Sequence, residues 1–368
     1  MQNDDFNKLS AKVRASDPAR DGRATLRTAA QLVAHELIAD DMLDQIEAVS
    51  RNYAIAVSSQ IQSLIEPGNA ADPLAAQFIP TAAELVASSD ELEDPIADIA
   101  HSPLPGIVHR YPDRVLLKPV HVCAVYCRFC FRREMVGPGS ESLGDADMDN
   151  ALEYIASRPE IWEVVITGGD PLVLSPRRLR PIMQRLDNIP HVGVVRFHSR
   201  VPVAKPEAIT RDLLDALKIN KAVYIVLHTN HVRELSREAR LACAKFIDSG
   251  FPMLSQTVLL RGVNAEAKTL EQLFRALVAM RIKPYYLHHG DLAKGTRHFR
   301  TTVAEGQQLM RELRGTVSGL CQPTYVLDIP GGHGKVPVGP GYLQRREDGA
   351  YTVEDYLGKS HSYRDSVP

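Results

Sequence analysis

Cysteine is scarce in this chain, with five in 368 residues. Nothing in the sequence marks the oxidising route along which disulfides form. Charge imbalance is missing too. Lys and Arg total 43 against 45 Asp and Glu, a formal net charge of −2, so the basic excess of a nucleic-acid surface is absent. No apolar run is long enough to cross a bilayer. The opening MQNDDFNKLS is polar and acidic and lacks the apolar stretch of a secretory signal. The expected location is therefore cytoplasmic, where reducing conditions suit thiolate ligands. What remains is an ordinary globular composition, 44% hydrophobic and 24% charged. The length suits one large α/β domain with extensions, or two to three smaller domains.

Three of the five cysteines are crowded together. Cys123, Cys127 and Cys130 form C-x-x-x-C-x-x-C within CAVYCRFCFRR. Cysteine thiolates bind iron–sulfur clusters, and three on one loop can hold three irons of a cubic [4Fe–4S] cluster. No fourth cysteine is nearby, which leaves one iron open, and an open coordination position signals chemistry rather than structure. A structural zinc would want four ligands, and no cysteine or histidine pair follows at finger spacing. The stretch resembles the radical S-adenosylmethionine (SAM) superfamily, where the open iron chelates the amino and carboxylate groups of SAM.

Residues 1 to about 100 read as helical, with a capping box at Thr28-x-x-Gln31 and apolar residues from Leu32 to Ile46 near helical spacing. A second helix is expected over Ala54 to Ile65, stopped by Pro67-Gly68. The acidic run SSDELEDP, 88–95, reads as a solvated connection, and no catalytic constellation is visible in this region. From about residue 112 short β-branched runs alternate with amphipathic helices. The strands expected are Arg114–Pro119, Glu163–Thr167, Gly193–His198, Ala222–His228, Met253–Leu260, Pro284–His289 and Thr324–Asp328. Helices are expected near Asp145 to Ser157, from Ser175-Pro176, from Pro206, over Ser236 to Asp248, and behind caps at Thr269-x-x-Gln272 and Thr302-x-x-Glu305. This alternation implies parallel strands joined by right-handed crossovers. A barrel-like α/β sheet is expected, and the pattern itself leaves open a closed eight-fold or an open six-fold form. Functional residues then belong at the carboxyl ends of strands. Gly168-Gly169-Asp170 stands there, directly after EVVIT, where two glycines let backbone approach a ligand closely. His228 and Gln256 also fall at strand ends.

The run DIPGGHGKVPVG, 328–339, fails the phosphate-loop pattern because Ile329 replaces the first glycine and Val336 follows the lysine. A lysine on a glycine-rich loop with few charges around it can instead be a desolvated amine that forms a Schiff base. Otherwise it is an exposed turn lysine. Taken together, 123–133, Gly168–Asp170, HFRT at 298–301 and DIPGGHGKVPVG resemble the lysine 2,3-aminomutases, over about 110–339.

That resemblance implies a partial (β/α)6 TIM-like barrel with an N-terminal helical extension. It also implies three cofactors: a [4Fe–4S] cluster, SAM and pyridoxal 5′-phosphate (PLP). By it, Cys123, Cys127 and Cys130 hold the cluster. Gly168, Gly169, Asp170, His228 and Gln256 bind SAM. Lys335 carries PLP, with Arg110 and Arg114 near its phosphate. Arg132 pairs with the substrate carboxylate, and Asp291 and Asp328 grip the side-chain ammonium of lysine. The expected domains are a helical region over 1–105, the barrel with its lysine over 106–335, and a short tail over 336–368. Longer family members carry a cysteine-rich zinc-binding tail. This tail has no cysteine, so no zinc is expected, and Cys243 and Cys321 read as buried core thiols. The implied reaction is migration of the α-amino group of L-lysine to give β-lysine, with an electron donor such as flavodoxin or ferredoxin as partner. A homo-oligomer, if formed, would not rest on zinc; neither nucleic acid nor membrane is a partner. The short tail is also similar to relatives that supply (R)-β-lysine for modification of elongation factor P. The alternatives are an aminomutase for glutamate or arginine, a radical SAM enzyme without PLP, and a cluster carrier.

Overall fold

The computed structural model describes residues 24–86, 88–137 and 142–366. Its core is one nine-stranded sheet in sequential order. The strands are β1 (Ile107–Tyr111), β2 (Arg114–Val120), β3 (Glu163–Gly168), β4 (Val194–Ser199), β5 (Ala222–His228), β6 (Met253–Val258), β7 (Ile282–His288), β8 (Thr324–Asp328) and β9 (Lys335–Pro337). From β2 to β8 every pairing is parallel. Helices Asp145–Ala156, Pro176–Asp187, Arg211–Leu217, Arg237–Asp248, Ala267–Ala279 and Val303–Thr316 make the crossovers. The two edge strands are antiparallel additions, β1 on β2 and β9 on β8. They do not pair with each other, so the sheet is an open, partial barrel of six β/α units capped by β8. The strands explain themselves: β3 is buried from Val164 to Gly168, the near-continuous apolar run of a parallel strand covered on both faces.

Two of the expected helix starts move. The helix expected from Pro206 begins at Arg211 behind Thr210, whose hydroxyl accepts from Leu213 N at 3.3 Å; a single turn at Val201–Ala204 precedes it. Pro206 instead opens a short 3-10 turn, because Ile209 leaves the helical region at φ −81, ψ 84. Thr269 lies inside the first turn of Ala267–Ala279 and caps nothing there. The capping boxes at Thr28 and Thr302 are both formed. Neither β1, β9 nor the three-stranded antiparallel sheet of the tail was expected. That sheet is β10 (Leu343–Arg345), β11 (Tyr351–Glu354) and β12 (Ser360–Tyr363).

The N-terminal region is helical in short pieces, Ala29–Ala34, Leu43–Ser50, Ser59–Leu64 and Pro73–Phe78. The run from Leu32 to Ile46 breaks in two, with Glu36 in the left-handed region at φ 56. The helix expected over Ala54 to Ile65 begins only at Ser59. These pieces form a second apolar core, around Leu32, Ile46, Ile61, Leu74 and Phe78, that packs on Val125 of the cysteine loop. The acidic run 88–95 is solvated in part: Ser89, Asp90, Leu92 and Glu93 are exposed, but Glu91 turns inward. Glu91 is buried and bonds Arg300 at 2.8 Å, and Leu92 N donates to Leu292 O at 2.7 Å. Unpaired charge is costly to bury, and here the one buried acid of the run has a basic partner.

The end of β3 lies against the start of the cysteine loop. Gly169 N donates to Val120 O at 2.6 Å and Asp170 N to Val122 O at 3.0 Å. Gly168 sits at φ 110. A Cβ on Gly169 would strike the backbone of His121 and Val122, which has no side-chain freedom to yield. Gly169→Ala is expected to destabilise the fold by about 1–3 kcal/mol, as overpacking does. It should also lower iron uptake on reconstitution; urea unfolding and iron analysis check the two effects.

Candidate active site

A cavity of about 690 Å³ lies within the curl of the sheet. That is an ordinary ligand-pocket size. All the residues singled out in the sequence line it: Cys123, Cys127 and Cys130; Gly168, Gly169 and Asp170; His228 and Gln256; Arg110, Arg114 and Arg132; Asp291, Asp328 and Lys335. The fold does this because each lies on a strand of one curved sheet or on the loop that follows one. His228 and Gln256 stand side by side, in register between β5 and β6.

The cysteine loop has no regular structure of its own, so other segments hold it. Tyr126 N donates to Ala56 O at 3.0 Å and Arg128 N to Gln77 O at 2.8 Å. Its arginines are buried and each meets a carboxylate of the N-terminal region. Glu84 receives Arg128 Nε at 3.0 Å and Nη2 at 2.5 Å, and also Arg133 Nη2. Asp98 receives Arg132 Nε at 2.8 Å and Arg110 Nη2 at 3.3 Å. Arg132 and Arg110 thus keep further donors for a ligand, while Asp98 fixes where they point. Arg114 pairs with Asp113 at 2.7 Å and lies over the Tyr111 ring. All three loop cysteines are free thiols. Burial raises each pKa, that of Cys127 to about 11 although Arg200 Nη1 donates to its Sγ at 3.0 Å.

Asp170 is placed as expected, but its carboxylate is already engaged. It accepts from Ser199 Oγ at 2.7 Å, Arg200 N at 2.6 Å and Val201 N at 3.1 Å. What the Gly-Gly-Asp turn offers a ligand is therefore backbone, with Asp170 tying β3 to the end of β4.

At the other end of the cavity Lys335 does not stand among few charges. Its Nζ donates to both oxygens of Asp328 at 2.6 Å, across the β8–β9 register that sets the two residues opposite each other. Burial opposes ionisation of Asp328, yet the His288 and Lys335 partners outweigh it and hold the group well below the usual carboxylate range. Asp291 behaves oppositely: burial and then the charge of Asp328 push it up to about 7.

His198 and His288 of this cavity, and Glu84 and Asp98 behind it, escaped the sequence reading; His228 did not. The Nε2 atoms of His198, His228 and His288 are buried with no hydrogen-bond partner among the described residues. All three imidazoles line the cavity, and burial lowers their pKa values, so they are neutral near pH 7. Position at a strand end was the available signal for His198 and His288. Glu84 and Asp98 gave no such signal, since their arginines lie far along the chain.

A family model described as "Radical SAM superfamily" matches residues 117–273, and one described as "Lysine-2,3-aminomutase" matches 310–366. The chain is 40% identical over 317 residues to L-lysine 2,3-aminomutase of Clostridium subterminale, across 86% of this chain and 76% of the relative. The chain belongs to the lysine 2,3-aminomutase family. It is an isomerase of the radical SAM superfamily, and that membership implies a [4Fe–4S] cluster, SAM and PLP. Other aminomutases are similar as well. The L-lysine 2,3-aminomutase of Escherichia coli (strain K12) is 36% identical over 302 residues, 82% of this chain and 87% of that one. The glutamate 2,3-aminomutase of Clostridioides difficile (strain 630) is 36% identical over 316 residues, 86% and 75% respectively. Similarity to the family thus does not by itself choose the amino acid.

The cavity fits these groups. Three free thiols face one space, and the glycine pair brings backbone beside it. Three imidazole nitrogens without a partner among the described residues face it, and arginines and an amine line the same space. Removing Glu84 would leave Arg128 and Arg133 buried without a counter-charge. Glu84→Ala is expected to cost about 3–5 kcal/mol of stability, read as a shift in the urea midpoint at unchanged slope.

Proposed function

We propose that this chain is an L-lysine 2,3-aminomutase. In this reading Cys123, Cys127 and Cys130 hold the [4Fe–4S] cluster, and Gly168, Gly169, Asp170, His228 and Gln256 surround SAM. Lys335 anchors PLP, with Arg110 and Arg114 toward its phosphate. When bound, the cluster with SAM supplies hydrogen-atom abstraction, and PLP stabilises the nitrogen as it moves from Cα to Cβ. The chain's own part is placement and the exclusion of water.

The observation that carries the substrate assignment is the pair Asp291 and Asp328 in one wall of the cavity. An ammonium taken out of water needs opposite charge beside it, and two carboxylates provide it. A glutamate side chain brought to the same wall would meet like charge. Arg132 retains donors for the α-carboxylate while Asp98 holds its Nε, and a guanidinium fork suits that group. Lys335 now occupies Asp328. Were Lys335 to hold the cofactor, its bond to Asp328 would be weakened and the carboxylate could meet the substrate cation, with His288 near it at 3.8 Å.

The deciding experiment is anaerobic reconstitution with iron, sulfide, PLP and SAM, then chromatography of products from lysine, glutamate and arginine. β-Lysine alone is the expected product; turnover of glutamate instead would overturn the substrate reading. Borohydride reduction should trap PLP on Lys335, and label on any other amine would remove the cofactor assignment.

The pH dependence follows from Asp291. Its carboxyl titrates at about 7, neutral below and anionic above, while free lysine keeps its side-chain charge to about pH 10. Lysine binding should therefore tighten, and KM fall, as pH rises across roughly 6 to 8. Asp291→Asn should flatten that profile. It should also lower kcat/KM by about 2–5 kcal/mol, roughly 30-fold to several thousand-fold.

A further inference from the structure

Arg200 has no part in the reading above, yet few side chains here are held so firmly. It follows β4, and its backbone N–H donates to Asp170. Its Nη2 donates to Gln77 Oε1 at 2.6 Å and to Glu234 Oε2 at 2.6 Å. Its guanidinium carbon lies 4.6 Å from the Phe78 ring centroid and 5.4 Å from that of Phe129. The residue is 5% exposed. Glu234 is itself fully buried and fixed by the N–H groups of Asn230 and His231, each at 2.9 Å. Pairing with Glu234 would satisfy the charge without further direction. Instead the remaining terminal nitrogen, Nη1, donates to Cys127 Sγ at 3.0 Å.

We propose that Arg200 is a positioning residue that holds the Cys127 sulfur and sets the reduction potential of the cluster bound through it. The inference rests on the cluster assignment of Cys127 above. Reduction adds one electron, and so one negative charge, to the cluster. Hydrogen bonds to the sulfurs, net charge and solvent exposure govern its potential. A buried cationic donor on a ligand sulfur stabilises the reduced form more than the oxidised one, because little water is there to screen it. Glu234 sits behind Arg200 and offsets part of that field. The two residues therefore act with opposite sign.

The test measures midpoint potentials of the reconstituted full-length protein by anaerobic spectroelectrochemistry, with iron and sulfide content measured alongside. Arg200→Met should make the cluster harder to reduce by about tenfold in the reduction equilibrium, or about 59 mV for one electron. Arg200→Lys keeps the charge and loses the fixed fork, and should fall between. Glu234→Gln should shift the potential the other way, toward easier reduction. A residue that merely knits the fold would give losses of cluster without opposed shifts. Should Arg200→Met fail to assemble a cluster, Arg200→Lys and Glu234→Gln still decide. Equal potentials in all variants, or shifts of one sign for Arg200 and Glu234 variants alike, overturn this inference alone. Wild-type protein that takes up no iron and sulfide overturns the cluster assignment and this inference with it.

Discussion

The structure depends on the neutralisation of buried arginines on the cysteine loop. Arg128, Arg132 and Arg133 sit in a stretch without strand or helix, and none of them is left exposed. Each is matched by a carboxylate from outside the sheet, Glu84 or Asp98. Breaking such pairs costs far more than an exposed pair contributes. The loop is therefore fixed by charge, and by the backbone bonds at Tyr126 and Arg128, where secondary structure cannot fix it. The N-terminal region, which looks like an inert cap in sequence, is part of what makes the site rigid.

A rigid site matters for this kind of chemistry. Cofactors carry the difficult steps, and the protein positions them and keeps water away. Thiols, arginines, acids, an amine and neutral histidines all line the one space, and Arg132 and Arg110 are close enough to Asp291 to act on its charge. Burial raises both Asp291 and Asp328; at Asp328 the bonds from His288 and Lys335 outweigh it, whereas at Asp291 the charges of Lys335, Arg132 and Arg110 do not.

Much of this was legible in the sequence. The seven strands from Arg114 to Asp328 follow from β-branched runs between amphipathic helices. The three cysteines stood out by spacing, Gly168–Asp170, His228 and Gln256 by strand ends, the arginines and acids through the family resemblance alone, and Lys335 through that resemblance and its glycine-rich run; the structure brings all of them to one cavity. Three kinds of feature were not legible. Short edge strands such as β1 and β9 gain their identity from pairing, not from propensity. Glu84, Asp98 and Arg200 take their roles from contacts across wide sequence separations, where no spacing rule operates. The embrace of Lys335 by Asp328 depends on a hairpin register, and the glycine-rich run between them hides it. The acidic run at 88–95 shows the same limit: a charged stretch reads as solvated until its basic partners Lys294 and Arg300 are seen beside it.

The hairpin that joins β8 to β9 has a consequence for how such an enzyme changes its diet. Asp328 and Lys335 are opposite one another in a single pair of short strands. Altering the charge at 328 to suit another amino acid would disturb the amine beside it in the same stroke. Among the described residues no such bond holds Asp291, whose cationic neighbours act on it through charge alone. Under the roles proposed for these residues, divergence toward a new substrate is channelled through Asp291, while Asp328 stays tied to Lys335.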